Sequence, residues 1–493
     1  MKTMDFLAFD MGASNGRGII GRYDGQRLTM HPVGGFENSF AQRGDAAHWD
    51  LRNLHDNIKQ CFIQAKRSGF EPLCFGVDTW GVDYGLLDKQ GRVLGDPRAY
   101  RAARDEDMHA AHERIAKRRL FDISGIASHN FNTVYQLYRR VLEGDAELKD
   151  AHTLLLMPDL LGYLLTGVKK TEYTIASTSG LMDIAHKDWS REVMAALHIP
   201  ANLLTEIDRA GTLRGYIKEE VAQELGLGKV AYAAVGCHDT ASAVAAIPGQ
   251  GNFAFCSSGT WSLFGMETEQ PVLTDYAYRS GFSNEGTVQG GFRPLRNIMG
   301  LWLIQECRRE WGKAGENYSW DQIVALAQAA PALRSIVDPD DAPFFGAGDM
   351  PEKIRAYCRR TGQHVPQTVG EIARCVYESL ALKYRWVLER LSGMKGQPFD
   401  SLNIVGGGIQ NRLLNQMAAD SLQLPVTVGP TEGAAMGNVL MQMVALGEIA
   451  DIHQAREVAR ASVETVIYLP EHSAAWDGAY ARLLRYMEGI EHD

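Results

Sequence analysis

The chain carries the same kind of turn twice, each time directly after a short apolar run. The first turn spans Asp10 to Arg17 and follows Phe6 to Phe9, and the second spans Ser257 to Ser262 and follows Phe253 to Phe255. Both turns place small hydroxyl residues around a glycine. Glycine lets the backbone approach an anion closely, and successive free N–H groups in such a turn form an anion-binding concavity. Two such turns, one in each half, predict a nucleotide held by two duplicated lobes.

Asp10 makes the first turn acidic. One interpretation places its carboxylate near a Mg²⁺-bound phosphate, often through water, because Mg²⁺ usually keeps several waters. The alternative is a turn aspartate that satisfies neighbouring backbone N–H groups. Ser257 and Gly259 repeat the spacing of Asp10 and Gly12, which favours the phosphate interpretation and assigns the metal side to the first lobe.

Charge and cysteine usage narrow the class of protein. The 493 residues carry a formal net charge of −10, which opposes a general affinity for nucleic acid but not for a small anion. The seven cysteines are scattered without a C-x-x-C pair, as in a reducing cytosol, although Cys358 and Cys375 could meet if their segments pack together. No run approaches the ~18 apolar residues of a membrane span. We therefore expect a cytoplasmic protein without membrane contact, either a monomer or a homodimer.

The order of predicted elements indicates an α/β fold with two similar halves. Strands at Phe6 to Asp10, Arg17 to Tyr23 and Arg27 to His31 precede a helix with 3.6-residue periodicity from Asp50 to Ser68 and a strand from Cys74 to Val77. This order resembles the opening of the ribonuclease-H-like fold found in actin and hexokinase. We expect two such lobes, with an active-site cleft between them and a break at Pro248 to Gly251. Lobe 1–247 is expected to bind the sugar and phosphate and to carry the catalytic base, and lobe 248–493 to bind the nucleotide.

The second half repeats the pattern less cleanly. Its predicted elements are strands at 253–255 and 261–266, a helix from Met299 to Trp311, a helix from Val369 to Leu391, a strand from Leu402 to Val405, a helix from Arg412 to Leu422, a strand from Pro425 to Val428 and a helix from Ala434 to Leu446.

Three further segments carry polar or glycine-rich chemistry. Asp239 follows the apolar strand from Val230 to Val235 and suits a general base, since phosphoryl transfer needs orientation of the attacking hydroxyl more than basicity; a helix N-cap is the alternative. Gly406 to Gly408 lets a flat purine lie against the backbone, or makes a plain strand-to-helix turn. Trp80-Gly81 follows the fourth strand, where a tryptophan suits a sugar face or packs a turn.

Taken together, these segments resemble the FGGY family of carbohydrate kinases over nearly the whole chain. The blocks that carry the resemblance are Asp10 to Arg17, Asp78 to Asp83, Leu156 to Asp159, His238 to Ala243, Ser257 to Ser262 and Asn297 to Leu303.

The resemblance implies transfer of the γ-phosphoryl group of ATP, with Mg²⁺, to the 1-hydroxyl of a ketose, which we expect to be L-rhamnulose. It implies that Asp239 accepts the proton. The implied ketose contacts are Gly81, His238, Thr240 and Asn297, and the implied ATP contacts are Ala13, Ser14, Asn15, Gly16, Arg17, Thr260, Gln305 and Gly407. The residue analysis above adds Asp10 for the metal and Trp80 for the ketose.

One segment departs from the family pattern. After Gly125-Ile126 the chain reads Ala127-Ser128-His129-Asn130, in a loop expected to border the sugar. The departure leaves another ketose open, such as L-fuculose or xylulose. A rival of a different class is an actin-like ATP-binding assembly module, which would have no use for the polar groups at Asp78 to Asp83 and His238-Asp239.

Overall fold

A computed structural model describes residues 3–43, 46–249, 251–471 and 474–488. The protein is α/β with two mixed sheets, as expected. The strands in chain order are β1 (Met4–Met11), β2 (Asn15–Tyr23), β3 (Leu28–Glu37), β4 (Phe40–Arg43), β5 (Ala46–Trp49), β6 (Pro72–Thr79), β7 (Tyr84–Leu87), β8 (Thr153–Leu156), β9 (Thr171–Glu172), β10 (Met182–Asp183), β11 (Asp188–Trp189), β12 (Ile207–Asp208), β13 (Thr212–Tyr216), β14 (Ala231–Ala234), β15 (Phe253–Ser258), β16 (Trp261–Gly265), β17 (Ser283–Gly286), β18 (Phe292–Met299), β19 (Ser401–Val405), β20 (Val426–Val428) and β21 (Val466–Tyr468).

The helices are α1 (Leu51–Arg67), α2 (Asp105–Arg114), α3 (Lys117–Ser124), α4 (Thr133–Leu142), α5 (Ala146–Asp150), α6 (Met157–Thr166), α7 (Tyr173–Ala176), α8 (Arg191–Ala196), α9 (Glu219–Leu225), α10 (Asp239–Ala245), α11 (Asp275–Arg279), α12 (Trp302–Lys313), α13 (Trp320–Ala329), α14 (Met350–Arg360), α15 (Val369–Lys395), α16 (Arg412–Leu422), α17 (Gly433–Leu446), α18 (Ile452–Ser462) and α19 (Ala474–Glu488). Short 3₁₀ turns lie at Tyr100–Ala102, Ser177–Ser179, Ala201–Leu203, Ala342–Phe345 and Gly407–Gln410.

The two large sheets share most of their strand order. The first runs β13-β14-β6-β1-β2-β3, and the second runs β17-β18-β16-β15-β19-β20-β21. In each sheet, three antiparallel strands form a meander, two later strands add in parallel beside the first strand of that meander, and one antiparallel strand lies beyond them. The second sheet has one strand more, β17, at the edge beside β18. Both predicted turns lie at the tip of the first hairpin, β1-β2 or β15-β16. The duplication inferred from the turns therefore extends to the meander and the two parallel strands of each sheet.

Helices cover both faces of the first sheet, which explains the continuous apolar run of β1. Phe6 and Ala8 pack in one core with Val439 of α17. Leu7 and Phe9 pack in another core with α1, where the Phe9 and Phe62 rings are 5.2 Å apart. A strand that is buried on both faces has no solvent side, so its sequence lacks the polar alternation of a half-exposed strand.

The helix predicted to begin at Met299 begins three residues later, at Trp302. Strand β18 continues through Met299, which pairs with Trp261, and α12 begins at Trp302. An apolar run of this length is compatible with either helix or strand by periodicity alone. Backbone pairing with β16, which lies about 35 residues earlier in the sequence, decides the outcome.

The chain divides into two compact units, each built from three segments. The first contains Met1–Pro248, Glu267–Pro294 and Glu432–Val463, and the second contains Gly249–Met266, Leu295–Thr431 and Glu464–Asp493. The predicted boundary between 247 and 248 lies next to the end of the first segment, and Gln250 in the predicted break is outside the described residues. The assignment of separate tasks to two domains stays a prediction.

No helix in the described part of the chain is long and apolar enough to cross a membrane. All seven cysteines are buried free thiols, and Cys358 and Cys375 lie close enough for each to shift the pKa of the other. The cytoplasmic location and the monomeric or dimeric state stay predictions.

Close packing of α10 against α17 gives a test of the first unit. A Cβ added at Gly437 would lie 1.8 Å from the Ser242 carbonyl oxygen. We expect Gly437→Ala to lower the free energy of unfolding by about 1–3 kcal/mol or more, because the helices must move apart. The matched control is Gly478→Ala in α19, where a Cβ meets nothing within 4 Å and helix propensity predicts a gain of about 0.5–1 kcal/mol. Urea unfolding measures both changes, and an equal response of the two variants would contradict the packing argument.

Candidate active site

Asp10 and Arg17 lie opposite each other on β1 and β2, beside the first turn. Arg17 Nη2 donates to Asp10 Oδ2 over 2.6 Å, and Arg17 Nη1 lies 2.6 Å from Glu432 Oε2. The Arg17 side chain nevertheless keeps 40% of its surface exposed. Two carboxylates thus hold a guanidinium whose remaining surface can meet an anion.

The turn that joins β1 to β2 is held from behind by Asn38. The Asn38 backbone N–H donates to the Ser14 carbonyl over 3.0 Å, and its side-chain amide donates to the Gly12 carbonyl. Ser14 and Asn15 are exposed and Ala13 is half-buried. Packing requires a glycine at position 16, because a Cβ on Gly16 would lie 2.4 Å from the Phe36 ring. The turn is fixed in shape while three of the predicted ATP residues keep accessible surface.

A second carboxylate, Asp78, lies beside Asp10. Asp78 is the in-register parallel partner of Asp10 and is completely buried. Asn438 Nδ2 donates to Asp78 Oδ2 over 2.6 Å, whereas Oδ1 has no hydrogen-bond partner within the described residues. Burial, followed by the charge of Asp10, raises the pKa of Asp78 well above its ordinary value. The site therefore contains a buried acceptor oxygen that its neighbours leave unsatisfied.

The donors of this region fit a magnesium ion that keeps some of its waters. Within the part of the chain that the structure describes, no group of three or more His, Cys, Asp or Glu side chains is arranged to hold a metal ion. The donors near the first turn are carboxylate oxygens, Asp78 Oδ1 is unsatisfied, and Mg²⁺ typically keeps several of its waters. The assignment of Asp10 to the metal stays a prediction, and the donors present are compatible with it.

Trp80 is buried, and its ring has a structural role. The side chain is 6% exposed, its Nε1 donates to Asp83 Oδ2 over 2.9 Å, and its ring centroid is 4.3 Å from that of Trp49. A Cβ added at the neighbouring Gly81 would lie 3.3 Å from Thr178 Oγ1. The packing role foreseen as the alternative for Trp80 is thus present, while sugar contact by Trp80 and Gly81 stays a prediction.

Asp83 joins the segments around Trp80. Its Oδ2 also accepts from Trp49 Nε1 over 2.7 Å and from the Tyr100 backbone N–H over 3.2 Å, while Oδ1 accepts from Gln136 Nε2 over 3.1 Å. Burial raises the pKa of Asp83 to about 6, although these four donors favour the charged form. One carboxylate therefore links the end of β6 to β5, to the Tyr100–Ala102 turn and to α4.

Asp239 is the first residue of α10 and does not cap it. The cap position is His238, which makes no side-chain capping bond. Asp239 Oδ1 accepts from the Thr240 backbone N–H over 2.6 Å and from Thr240 Oγ1 over 3.2 Å. The carboxylate keeps 31% exposure, and its pKa is raised by desolvation, against the opposing effect of His238 and with the help of Asp10. A partly exposed carboxylate of raised basicity suits proton acceptance.

His238 lies between two carboxylates. Its Nδ1 is 3.1 Å from Glu285 Oε2, and its Nε2 is 3.5 Å from Asp239 Oδ1. The backbone is held too, because the His238 N–H donates to Thr174 Oγ1 over 3.2 Å. The parallel bridge between Thr79 and His238 brings this segment to the end of β6.

In the second unit, three of the predicted ATP residues lie around one hairpin. Thr260 Oγ1 donates to Gln305 Oε1 over 3.3 Å. The glycine segment lies against the same hairpin, because a Cβ at Gly408 would be 2.0 Å from Ser258 Oγ, whereas a Cβ at Gly407 would meet nothing within 4 Å. Gly407 therefore offers open backbone surface. Thr260, Gln305 and Gly407 are thus grouped within this unit, and their contact with ATP stays a prediction.

Asn297 also belongs to the second unit, on β18 opposite Leu263. Its Oδ1 is buried and has no hydrogen-bond partner among the residues that the structure describes. An unsatisfied amide oxygen is costly to bury, and it is compatible with the predicted contact to a ligand hydroxyl.

Sequence reasoning missed the residues that orient the predicted ones. Glu285 and Arg293 contact His238, Asn438 contacts Asp78, and Asp83 anchors Trp80. Asp83 lies in the recognised block Asp78 to Asp83, and an acidic residue close to Trp80 and Tyr84 was the one usable signal. The other three lie far from their partners in the sequence, and nothing local distinguishes them.

The pKa of Asp83 predicts a pH effect on stability. Since the folded pKa of about 6 exceeds the ordinary aspartate value of 3.8, the unfolded chain loses this proton first, and stability falls as the pH rises from about 4 to 6. Relative to the unsubstituted protein, we expect the free energy of unfolding of Asp83→Asn to rise by about 2–3 kcal/mol between pH 4 and pH 7. Urea unfolding across this range measures it.

Asp88→Asn is the control, in which the pH effect on stability should have the opposite sign. Hydrogen bonds from the Arg92 backbone N–H and side chain lower the pKa of Asp88 against the effect of desolvation. This variant should lose stability relative to the unsubstituted protein as the pH rises. Parallel pH curves for Asp83→Asn and the unsubstituted protein would contradict the assigned ionisation.

Comparison with known proteins identifies the family. Two family models match, the N-terminal domain of the FGGY family of carbohydrate kinases over residues 6–246 and the C-terminal domain over residues 254–446. A rhamnulokinase of Bacteroides thetaiotaomicron is 39% identical over 97% of this chain and 98% of its own length. A rhamnulokinase of Enterococcus faecalis is 39% identical over 94% of each chain.

Solved structures agree at the level of the fold. A ligand-bound xylulose kinase from Lactobacillus acidophilus has a TM-score of 0.83 at 14% identity and covers 99% of each chain. A glycerol kinase from Plasmodium falciparum with ADP has a TM-score of 0.76 at 14% identity, covering 99% of this chain and 97% of its own. With the near-full-length relatives and both domain models in agreement, the chain belongs to the FGGY family of carbohydrate kinases.

Proposed function

We propose that this kinase transfers the γ-phosphoryl group of ATP to the 1-hydroxyl of L-rhamnulose, giving L-rhamnulose 1-phosphate and ADP. The observation that carries the proposal is the His238-Asp239 pair at the end of the parallel strands. It offers a partly exposed carboxylate of raised basicity beside a buried, oriented imidazole. The choice of L-rhamnulose rests on relatives named rhamnulokinase at 36–39% identity.

Each predicted residue has a task that its chemistry allows. Asp239 accepts the proton of the attacking hydroxyl. Thr240 orients the carboxylate by donating two hydrogen bonds to its Oδ1. Both Thr240 donors go to Asp239 Oδ1, which leaves Oδ2 as the oxygen that would face the sugar. Phosphoryl transfer passes through a loose transition state, so orientation of the hydroxyl supplies more than base strength.

The phosphates and the metal belong to the glycine-containing turns. Arg17, fixed by Asp10 and Glu432, would neutralise phosphate charge, while the exposed turn at Ser14 and Asn15 contributes polar groups. Mg²⁺, when bound, neutralises charge on the β- and γ-phosphate oxygens; Asp10 and Asp78 would hold its waters. Thr260, Gln305 and Gly407 would contact the nucleotide from the second unit.

The departing loop has defined partners that could shape the sugar pocket. The Ala127 N–H donates to Ser283 Oγ over 3.0 Å. The His129 ring stacks on Phe131 with centroids 5.0 Å apart and an interplanar angle of 4°. Asn130 Nδ2 donates to Asp105 over 2.9 Å. A loop held at three points can discriminate among ketoses that differ in one hydroxyl.

The first test is Asp239→Asn. We expect sugar-dependent ADP release to fall by about 10²–10⁴-fold, the range assigned to a general acid or base, because the amide cannot accept the proton. ATP binding, measured by calorimetry, should be nearly unchanged. Asp88→Asn makes the same chemical change elsewhere and should retain full turnover. Near-normal turnover of Asp239→Asn would remove Asp239 from the role of base.

The second test is a panel of acceptors in a coupled ADP-release assay. We expect the largest kcat/KM for L-rhamnulose, followed by L-fuculose and xylulose, with aldoses and polyols much lower. A larger value for another ketose would transfer the proposal to that sugar. ATP turnover that no sugar stimulates would contradict a sugar kinase and favour the assembly module.

A further inference from the structure

A buried ion pair lies directly behind His238. Arg293 on β18 is completely buried, and its Nη2 donates to Glu285 Oε2 on β17 over 3.1 Å. Its Nε donates to the Gly286 carbonyl over 2.8 Å, while Nη1 has no hydrogen-bond partner among the described residues. Removing two such charges from water costs several kcal/mol per ion, and hydrophobic replacements are often as stable. Stability alone is therefore a weak reason for this pair.

The pair contacts the imidazole at one nitrogen. Glu285 Oε2 is 3.1 Å from His238 Nδ1, and Arg293 Nη2 is 3.3 Å from the same atom. A carboxylate oxygen can only accept, so its contact with Nδ1 is attractive when that nitrogen carries a hydrogen. Arg293 Nη2 shares its hydrogen better with the charged Glu285 oxygen than with the ring, because charge-assisted bonds are the stronger ones.

We propose that Glu285, anchored by Arg293, is a positioning residue that fixes His238 with a hydrogen on Nδ1 and with Nε2 beside Asp239. Nε2 is then the ring nitrogen left to contact a hydroxyl of the sugar next to the reacting one. This part rests on the proposed function, whereas the ring orientation and the hydrogen on Nδ1 do not. The hydrogen bond that one ring nitrogen makes sets which nitrogen is protonated and where the other is directed.

The same strand also holds the departing loop. Ser283 Oγ accepts from the Ala127 N–H over 3.0 Å, and the Asn284 N–H donates to the Gly125 carbonyl over 2.8 Å. Strand β17 thus carries, within four residues, the attachment of the loop and the carboxylate that orients His238. Displacement of Glu285 should consequently affect sugar recognition and leave the nucleotide contacts unchanged.

The kinetic test compares Glu285→Ala and Glu285→Gln in the full-length protein. We expect Glu285→Ala to lower kcat/KM for the sugar by about 10–100-fold, by analogy with the loss when the hydrogen-bond partner that orients a metal-ligating histidine is removed. The KM for ATP should stay within about twofold. Glu285→Gln should recover most of the loss, because its side-chain carbonyl can still accept from Nδ1. Asp208→Asn is the control, since its equally buried carboxylate pairs with Arg214 and does not contact His238.

Nitrogen-15 NMR of histidine-labelled protein provides a test that is independent of activity. His238 is assigned through loss of its signals in His238→Gln. We expect Nδ1 to be protonated in the unsubstituted protein and in Glu285→Gln, and the ring to become a mixture of forms in Glu285→Ala. An unprotonated Nδ1 in the unsubstituted protein would overturn the proposal. The proposal would also be overturned if kcat/KM for the sugar fell no further in Glu285→Ala than in Asp208→Asn. An equal fall in kcat/KM in Glu285→Ala and Glu285→Gln would overturn it as well.

The two proposals can fail separately. If no sugar stimulates ADP release by the unsubstituted protein, the proposed function fails, while the NMR result still decides the role of Glu285. If Glu285→Ala does not fold, the NMR spectrum of the unsubstituted protein and the behaviour of Glu285→Gln decide it.

Discussion

The convergence of like charges at one edge of the first sheet is the constraint on which the active site depends. The parallel strands β1, β6 and β14 end at the same edge, so Asp10, Asp78 and Asp239, which lie at or after these ends, come close together. Their mutual repulsion, added to desolvation, raises the pKa values of Asp78 and Asp239. Such a cluster is costly unless cations or hydrogen-bond donors approach it, and it is suited to a hydrated divalent cation and a phosphorylated ligand.

The surrounding residues offset that cost in different ways. Arg17 gives Asp10 a cationic partner and Asn438 gives one oxygen of Asp78 a donor, while the other oxygen remains unsatisfied. His238 stabilises the charged form of Asp239 and is itself held by Glu285. Within the described residues, compensation is thus incomplete at one buried oxygen of Asp78.

The two sheets share the order of their meander and parallel strands but differ at their first hairpins. The turn of the first unit has a carboxylate and a guanidinium beside it, whereas the turn of the second unit packs hydroxyl and amide side chains against a run of glycines. A duplicated backbone has therefore acquired different chemistry at equivalent places. This asymmetry is what permits one copy to serve metal and phosphate and the other to serve the nucleotide in the proposed reaction.

Local patterns were reliable where a single element decides the outcome. The apolar run before Asp10 and the periodicity from Asp50 to Ser68 correspond to β1 and α1. Prediction failed at Met299, where pairing with a distant strand decided between helix and strand. Asn438 and Asp78 are 360 residues apart in the chain, so no local pattern could predict their hydrogen bond.

The sequence by itself determined the strand-and-turn units, their duplication, and the residue types that can accept a proton or meet a phosphate. These follow from hydrophobic period and glycine placement, which act over a few neighbouring residues. Only the tertiary structure decided which carboxylates converge, that the Trp80 ring is buried against Trp49, and that Glu285 and Arg293 hold His238. Those outcomes depend on strand order and side-chain packing between distant segments, which determine the distances that govern desolvation and charge interaction.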